Sequence, residues 1–293
     1  MKNLSRKDFI RNLSLLSGLV VMPGFKYPSS LNSIVGQMNL GFVTYLWGKD
    51  WDIPTIIKNL SAAKIYGVEL RIDHAHGVTT ELSKEERKRV KKQFADSPVQ
   101  VLGMGTNQRF DYPDKDELKS SIEKTKEYIK LSHDIGGSGV KVKPNGFHKN
   151  VPKEKTLEQI GKSLNEVGKF AADHGQKIRL EVHGKGTQQL PNIKTIMDVA
   201  TNPNVGVCWN SNDTDLDGKG LEYNFNLVKG RFGDTAHVRE LNIGDYPYQK
   251  LMSLFVQMNY NGWILLECRT NPEDKVKALI EQRKVWEKMI EQG

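Results

Sequence analysis

The chain has 293 residues, of which 38% are hydrophobic and 27% are charged, and its formal net charge is +8. This composition excludes a disordered chain and a protein embedded in the membrane, and the length suits one large α/β domain. Most basic residues alternate with Glu and Asp, as in KEERKRVKKQ. That pattern indicates solvated helix faces and argues against a nucleic-acid-binding surface.

The N-terminal segment, residues 1–30, carries five Lys and Arg against one Asp. A basic stretch is followed by the apolar run LSLLSGLVVM and then by Pro and small residues. This order is typical of an export signal, and the run is too short to span a bilayer. The string SRKDF resembles the twin-arginine export motif, with Lys in place of the second Arg. We therefore expect a signal peptide over 1–30 and a periplasmic domain over 31–293, without stable membrane insertion after the signal is removed. The alternative is an amphipathic helix on a cytoplasmic protein.

Eight short apolar or β-branched runs predict strands, at 38–45, 67–72, 99–104, 139–143, 177–183, 204–209, 235–241 and 262–267. Apolar residues at three- and four-residue spacing predict helices between and after them, at 52–65, 83–94, 114–135, 154–174, 191–200, 221–230, 247–258 and 273–290. Strands that alternate with helices indicate a parallel sheet. Eight such units predict an α/β fold, a single (β/α)8 TIM barrel. The alternative is an open doubly wound sheet, but no Gly-rich dinucleotide fingerprint follows the first strand.

Polar residues gather at the predicted strand ends, where barrel enzymes carry their functional groups. In chain order they are Glu69, Arg71, His74, Lys141, Lys143, Glu181, His183, Trp209, Asn210, His237, Arg239 and Glu267. Residues at positions i and i+2 of a strand share one face, and a charge facing the helices would be costly without a partner. We therefore expect the pairs on strands 4, 5 and 7 to face the mouth of the barrel.

Two glutamates and a histidine, Glu181, Glu267 and His237, are expected to converge from strands 5, 7 and 8. Carboxylate and imidazole ligands suit Mn, Mg, Co or Zn, and glutamates also transfer protons between adjacent carbons. The simpler interpretation is a set of salt bridges at the barrel rim.

Other strand-end residues leave alternatives open. Trp209 either stacks on a sugar ring or packs in the barrel, and His74 either binds substrate or caps a loop. Lys141 and Lys143 either bind substrate oxygens or neutralise glutamates. The two cysteines, Cys208 and Cys268, are expected to be buried free thiols, with a disulfide as the alternative in an exported protein.

The ordered strings GVELRIDHAHGV, GVKVKPNG, LEVHGKGT, VGVCWNSNDTD and WILLE resemble the xylose isomerase-like TIM-barrel superfamily. Within it, they are similar to proteins labelled sugar phosphate isomerase/epimerase. The resemblance covers nearly all of residues 38–290. Members include ketose 3-epimerases, inosose dehydratases, hydroxypyruvate isomerases and apurinic endonucleases. The endonuclease branch needs a trinuclear zinc cluster, for which this chain has too few strand-end histidines.

The epimerase branch implies a divalent metal held by Glu, Asp, His and Glu from strands 5 to 8. By motif these positions fall on Glu181, Asn210, His237 and Glu267, and the two glutamates would also be the catalytic acid/base pair. Asn210 stands in place of the Asp, with Asp213 as a nearby substitute. The family pattern H-x-H-x-x-D begins here at His237 but has Arg239 at its second histidine.

The expected function is therefore a metal-dependent isomerase or epimerase that transfers a proton α to the carbonyl of a sugar or keto-sugar. The residues expected to bind this small carbohydrate are Glu69, Arg71, His74, Lys143, His183, Trp209 and Arg239. The departures at Asn210 and Arg239 keep two alternatives: a lyase or hydratase on a keto-sugar or glycoside derivative, and a non-catalytic sugar-binding barrel. No nucleic-acid partner is expected, and a homo-oligomer remains open.

Overall fold

The computed structural model describes residues 38–293, so the expected export signal over 1–30 lies outside the described residues. Eight strands follow one another along the chain: β1 (Asn39–Val43), β2 (Gly67–Arg71), β3 (Gln100–Arg109), β4 (Gly139–Lys143), β5 (Lys177–Glu181), β6 (Val205–Cys208), β7 (Thr235–Val238) and β8 (Trp263–Leu266). Each coincides with a predicted strand. The largest difference is β3, which runs five residues beyond its predicted end.

A helix follows each strand: α1 (Ile53–Ala63), α2 (Lys84–Ala95), α3 (Lys115–Asp134), α4 (Lys153–Ala172), α5 (Leu190–Val199), α6 (Leu221–Val228), α7 (Tyr248–Gln257) and α8 (Lys275–Glu291). Two short 3₁₀ turns, Asp213–Leu216 and Lys229–Arg231, flank α6. The helix predicted over 221–230 is therefore present, but the last residues of that range belong to the second 3₁₀ turn. No helix within residues 38–293 is both long and apolar enough to cross a membrane.

All neighbouring strands pair in parallel, in the order β6-β5-β4-β3-β2-β1-β8-β7. The two ends of this sheet, β6 and β7, meet through isolated bridges such as Asn210↔His237. Two backbone hydrogen bonds support that closure: the His237 N–H donates to the Trp209 carbonyl at 2.7 Å, and the Gly233 N–H donates to the Val207 carbonyl at 2.8 Å. The strands thus form the predicted single (β/α)8 barrel, and the open-sheet alternative is wrong.

Side-chain caps and apolar stripes explain the helices. Ser83 and Glu86 form a reciprocal capping box at the start of α2. Asp52 and Asp114 accept backbone hydrogen bonds at the starts of α1 and α3. In α4 the residues Leu157, Ile160, Leu164 and Val167 recur at helical spacing, and all four are buried. Each helix therefore lays one apolar face on the outside of the barrel.

The inside of the barrel is layered. A small apolar cluster of Val43, Leu102 and Leu265 is separate from the large core between strands and helices. Leu265 shares the inner face of β8 with Glu267, two residues nearer the C-terminal end. The apolar cluster consequently lies beneath the polar groups of the barrel mouth.

A buried ion pair joins the N-terminal ends of the strands. The guanidinium of Arg179 donates to both carboxylate oxygens of Asp234, at 2.8 and 3.1 Å. It also donates to the Leu102 carbonyl and to the Ser138 hydroxyl. These bonds satisfy an arginine that is 1% exposed, so the barrel floor tolerates the charge.

Gly103 on β3 has a backbone φ of +150°, and a Cβ there would lie 2.0 Å from the Gly139 carbonyl oxygen. We expect Gly103→Ala to destabilise the protein by about 3 kcal/mol, because neither backbone can move without breaking the sheet. Urea unfolding measures this. Gly77→Ala is the matched control, because its φ is also positive, at +68°, but its Cβ would meet nothing within 4 Å. That change should cost about 1 to 2 kcal/mol. Equal costs would contradict the steric argument.

Candidate active site

Three buried residues converge inside the mouth of the barrel: Glu181 at the end of β5, His237 in β7 and Glu267 just after β8. Each offers one ligand atom, and these atoms all lie within 4.8 Å of one another. The His237 Nδ1 atom is 3.6 Å from Glu181 Oε1 and 3.9 Å from Glu267 Oε1. Barrel closure brings them together, because β7 pairs with β8 and bridges to Asn210 beyond β6. The structure thus brings together the three residues that the sequence singled out.

Lys141 of β4 adds a cation to this group. Its Nζ donates to Glu181 Oε2 at 2.7 Å and to the Thr106 carbonyl at 3.2 Å, and both partners of the ion pair are about 1% exposed. Of the two roles considered for this lysine, the structure favours neutralising a glutamate. The pairing holds Glu181 Oε2 in place, and Glu181 Oε1 then faces His237.

Glu69 corrects one expectation. The sequence placed it among the substrate-binding residues, but it is fully buried, with Oε1 3.3 Å from His237 Nε2. It has room there because Gly105 carries no side chain: a Cβ at Gly105 would lie 2.6 Å from Glu69 Oε1. Glu69 therefore orients the histidine from behind and does not reach the open mouth.

Asn210 lies beside Glu181, to which its Nδ2 donates at 3.1 Å. Its Oδ1 is buried and has no hydrogen-bond partner among residues 38–293. The backbone carbonyl of Asn210 accepts from Asn212 at 2.8 Å, which fixes the loop after β6. Asp213, the substitute considered for the missing aspartate, is exposed on the 3₁₀ turn and takes no part in the buried group.

The donor set fits a divalent cation. Within residues 38–293, His237 Nδ1 and Asn210 Oδ1 are buried without a hydrogen-bond partner, so a bound cation would satisfy polar atoms that are otherwise unpaired. Two carboxylates, one imidazole and one amide oxygen are ligands that Mn, Mg, Co and Zn accept. Lys141 holds Glu181 Oε2, while Glu181 Oε1 accepts from Asn210 Nδ2 and lies 3.6 Å from His237 Nδ1. The residues that would hold the ion are Glu181, Asn210, His237 and Glu267.

The two glutamates differ in their electrostatic surroundings. Burial alone would raise the pKa of Glu181, but Lys141 and His237 outweigh it and hold that pKa well below its usual range. Burial raises the pKa of Glu267, and the negative charge of Glu181 adds to the effect. Burial lowers the pKa of His237, yet Cys208 and Glu69 outweigh it and raise that pKa well above its usual value. The site therefore contains one carboxylate held in its charged form beside one that protonates more easily.

Four expected substrate-binding residues lie at or just after the C-terminal ends of β2, β4 and β5. The half-buried Lys143 donates to Asn107 Oδ1 at 3.1 Å, and Arg71 Nη1 donates to the Gly105 carbonyl at 3.1 Å. Burial is the main cause that lowers the pKa values of the His183 and His74 rings. In the described part of the chain, the buried Nδ1 atoms of both rings have no hydrogen-bond partner. All four therefore lie at the same end of the barrel as Glu181 and Glu267.

Trp209 corrects a second expectation. Its ring is fully buried and packs against Phe225 and Phe232, with ring centroids 5.8 and 6.1 Å away. Because it alternates with Asn210, it faces the helices while Asn210 faces the barrel interior. Trp209 therefore packs in the core and does not stack on a sugar. Alternation along β6 is the sequence signal that separates the two residues.

Arg239 follows β7, one alternation step beyond His237, and is half-buried. Its Nε has no hydrogen-bond partner within the residues that the structure describes. Its backbone N–H donates to the Tyr248 hydroxyl at 3.1 Å. The buried carboxyl of Asp215 lies near enough to interact electrostatically with it, and burial raises the pKa of that carboxyl to about 7. The histidine that meets the glutamates is the first of the motif, so the arginine at its second position does not displace a ligand.

Both cysteines are unbonded and buried, as expected. Cys208 shares the interior face of β6 with Asn210, and Thr235 of β7 donates a hydrogen bond to its sulfur. Burial raises the pKa of the Cys268 thiol well above its usual value. Cys268 is therefore held as a neutral thiol.

The sequence profile of the family described as "Xylose isomerase-like TIM barrel" matches residues 57–289. This span contains every residue of the buried group. A comparison with curated proteins finds no significant match.

Solved structures share the fold over most of the chain. The 3-keto-D-glucoside 4-epimerase YcjR from E. coli has a TM-score of 0.73 at 12% identity, covering 86% of this chain and 100% of that one. An L-ribulose 3-epimerase has a TM-score of 0.75 at 14% identity, with coverages of 87% and 95%. The IOLI protein with a bound zinc atom has a TM-score of 0.72 at 16% identity, with coverages of 87% and 99%. At these identities the similarity establishes the fold.

Proposed function

This chain belongs to the xylose isomerase-like TIM barrel family, and on that premise we propose that it is an enzyme that isomerises or epimerises a sugar or keto-sugar. The reaction is proton transfer at the carbon α to a carbonyl. The structures similar in fold that are named as epimerases act on keto-sugars and a 3-keto-glucoside, which supports the assignment.

The observation that carries the proposal is the pair of buried carboxyl groups on either side of His237. Glu181 and Glu267 lie on β5 and just after β8, and their ligand atoms are within 4.8 Å of each other and of the imidazole. A substrate carbon lying between two such groups can lose a proton to one and regain it from the other.

The proton transfer divides between the two glutamates. One carboxylate takes the proton from the carbon next to the carbonyl, and the electron pair of that C–H bond moves toward the carbonyl oxygen. Return of a proton to the opposite face gives an epimer, and return to the adjacent carbon gives an isomer. Lys141 keeps Glu181 charged and oriented, while Glu267 is free to carry the proton. Glu69 holds the imidazole of His237 in place.

A divalent cation held by Glu181, Asn210, His237 and Glu267 would polarise the substrate carbonyl and so acidify the neighbouring carbon. The unpartnered buried atoms of His237 and Asn210 support this assignment. The zinc atom in one protein of similar fold supports it further. Lys143, Arg71, His74, His183 and Arg239 would orient the substrate oxygens.

Solvent exchange tests the function directly. The protein is incubated with D-fructose or D-fructuronate in deuterated buffer, with Mn²⁺ or with a chelator. We expect deuterium to enter the carbon α to the carbonyl, as followed by NMR, and the rate to fall by about 10²-fold or more with the chelator. Equilibrium dialysis measures whether one divalent ion binds per chain.

Two results would redirect the assignment. Release of water and formation of a double bond would favour the lyase alternative, in which a leaving group departs from the carbon β to the carbanion. A chain that binds sugar without metal and exchanges no proton would favour the non-catalytic sugar-binding barrel. The contact between Asn210 Nδ2 and Glu181 Oε1 is the observation that favours this second candidate, because an amide nitrogen there occupies a ligand oxygen.

We also propose that the enzyme is exported to the periplasm. The basic and apolar order of residues 1–30 supports this, and those residues lie outside the part that the structure describes. A periplasmic enzyme would meet sugars and glycoside-derived keto-sugars taken up from outside the cell.

A further inference from the structure

A buried ammonium group lies next to one of the glutamates that would hold the metal ion. Lys141 is 1% exposed, and its Nζ donates to Glu181 Oε2 at 2.7 Å. Moving a lysine out of water costs free energy, which its interactions inside the protein must offset. A positive charge held this close to a metal ligand also acts on any cation that binds there.

The barrel itself fixes the position of this lysine. Lys141 Nζ also donates to the Thr106 carbonyl at 3.2 Å, and the Thr106 hydroxyl donates to the Lys141 carbonyl at 2.7 Å. Thr106 is fully buried on β3, next to β4. A cation that entered the site would have to break these contacts between two strands in order to displace the ammonium group. Lys141 therefore stays beside Glu181.

Both carboxylate oxygens of Glu181 are engaged. Oε2 accepts from Lys141, and Oε1 accepts from Asn210 Nδ2 at 3.1 Å. An amide that turns over presents its oxygen in place of its nitrogen, so Asn210 can release Oε1. Lys141 has only donors to present, so Oε2 stays with the ammonium group. Glu181 is thus restricted to one oxygen as a metal ligand.

The charge of Lys141 acts on three buried carboxyl groups. Burial acts to raise the pKa values of Glu69, Glu181 and Glu267, and Lys141 acts to lower all three. These negative charges are what would attract a divalent ion into the barrel. An ammonium group that already stabilises them reduces that attraction.

We propose that Lys141 is a resident cation of the site that weakens the binding of divalent metal ions, so that the metal is held loosely and exchanges readily. This inference rests on the proposed function and concerns regulation of the same site. The opposite role would be to strengthen metal binding by holding Glu181 in position. The two roles predict opposite changes in metal affinity when the charge is removed, so the sign of the change decides between them.

Binding of Mn²⁺ and Mg²⁺ to the wild-type chain and to Lys141→Met tests the inference. Isothermal titration at pH 8 measures the dissociation constants. We expect both ions to bind the variant about 10-fold or more tightly than the wild type, because one positive charge no longer opposes them. These two ions are suitable because they prefer oxygen ligands and bind thioethers poorly.

Two further variants separate the local charge from other effects. Lys149→Met is the matched control, because Lys149 is an exposed lysine in the loop after β4. It loses the same charge in a screened position, so both dissociation constants should stay nearly unchanged. Lys141→Gln removes the buried charge but keeps an N–H donor, and it should bind both ions more tightly than the wild type does.

A thermal scan with and without Mn²⁺ extends the test to variants of lower stability. An ion that binds the folded chain raises its melting temperature by an amount that grows with affinity. The rise in Tm should therefore be larger for both Lys141 variants than for the wild type. A purely structural role of Lys141 would lower Tm without increasing its response to Mn²⁺.

The inference is overturned if the Lys141 variants bind Mn²⁺ no more tightly than the wild type, or if neither they nor the wild type bind it at millimolar concentration. Measurable binding by the variants alone supports it. Deuterium exchange measures turnover and is independent of these titrations. Proton exchange by the wild type with unchanged Mn²⁺ affinity in the variants would refute the role of Lys141 and leave the proposed function intact. Tighter binding by the variants without proton exchange in the wild type would do the reverse.

Discussion

Glu267→Gln is expected to lower the rate of solvent deuterium exchange into the substrate by about 10²- to 10⁴-fold, the range attributed to one positioned acid or base. Glutamine keeps the shape of the side chain but cannot carry the proton. Because the Glu267 carboxyl makes no hydrogen bond within the described residues, its replacement should leave the melting temperature within a few degrees of the wild type. NMR measures the exchange, and a thermal scan measures the stability.

Glu181→Gln should also stop the exchange, but it differs in two further respects. It removes a charged metal ligand, so equilibrium dialysis should show weaker binding of Mn²⁺. It also leaves Lys141 buried without its partner, so this variant should be less stable than Glu267→Gln. Glu222→Gln is the control, because Glu222 is an exposed residue of α6 that pairs with Lys250. Full exchange activity in both site variants would rule out the proposed proton transfer.

Lys141→Met is expected to destabilise the protein by about 3 to 5 kcal/mol at neutral pH. The substitution removes the closest cationic partner of the buried Glu181 carboxylate, which lies near Glu69 and Glu267, while methionine fills nearly the same volume. Urea unfolding followed by circular dichroism measures the loss. Lys88→Met is a suitable control, because the pair between Lys88 and Glu85 is largely exposed and should contribute less than about 1 kcal/mol.

A double-mutant cycle separates the ion pair from simple packing. In the Glu181→Gln background the buried negative charge is gone, so Lys141→Met should cost much less than in the wild type. The difference between the two costs is the coupling energy of the pair. Equal costs in both backgrounds would mean that Lys141 stabilises the barrel by packing alone.

The sequence predicted the scaffold well because the relevant information is local. Alternating apolar runs and helical spacing placed all sixteen main elements, since each must bury one face whatever its neighbours are. Strand ends were less certain: β3 continues to Arg109 because its upper half pairs with β4 at Lys143. No local pattern marks a strand that extends by pairing with a distant partner.

The error at Trp209 concerns the face of the strand, whereas the error at Glu69 concerns depth in the barrel. Alternation predicts which face of a strand a side chain occupies, but not how far up the barrel it lies. Glu69 and Arg71 share the inner face of β2, yet Glu69 is buried against His237 and Arg71 borders the opening. Depth follows from the stagger between neighbouring strands, which involves residues far apart in the chain.

The sequence alone therefore determined the barrel, the identity of its strand-end residues and the membership of Glu181, His237 and Glu267 in one site, because periodicity and motif order are properties of the chain itself. The tertiary structure alone decided that Lys141 pairs with Glu181, that Trp209 packs against the helices, and that Glu69 is buried against His237. These are contacts between strands that closure of the barrel brings together. The surroundings of each charged group at the mouth depend on all of these contacts, so only the complete barrel determines them.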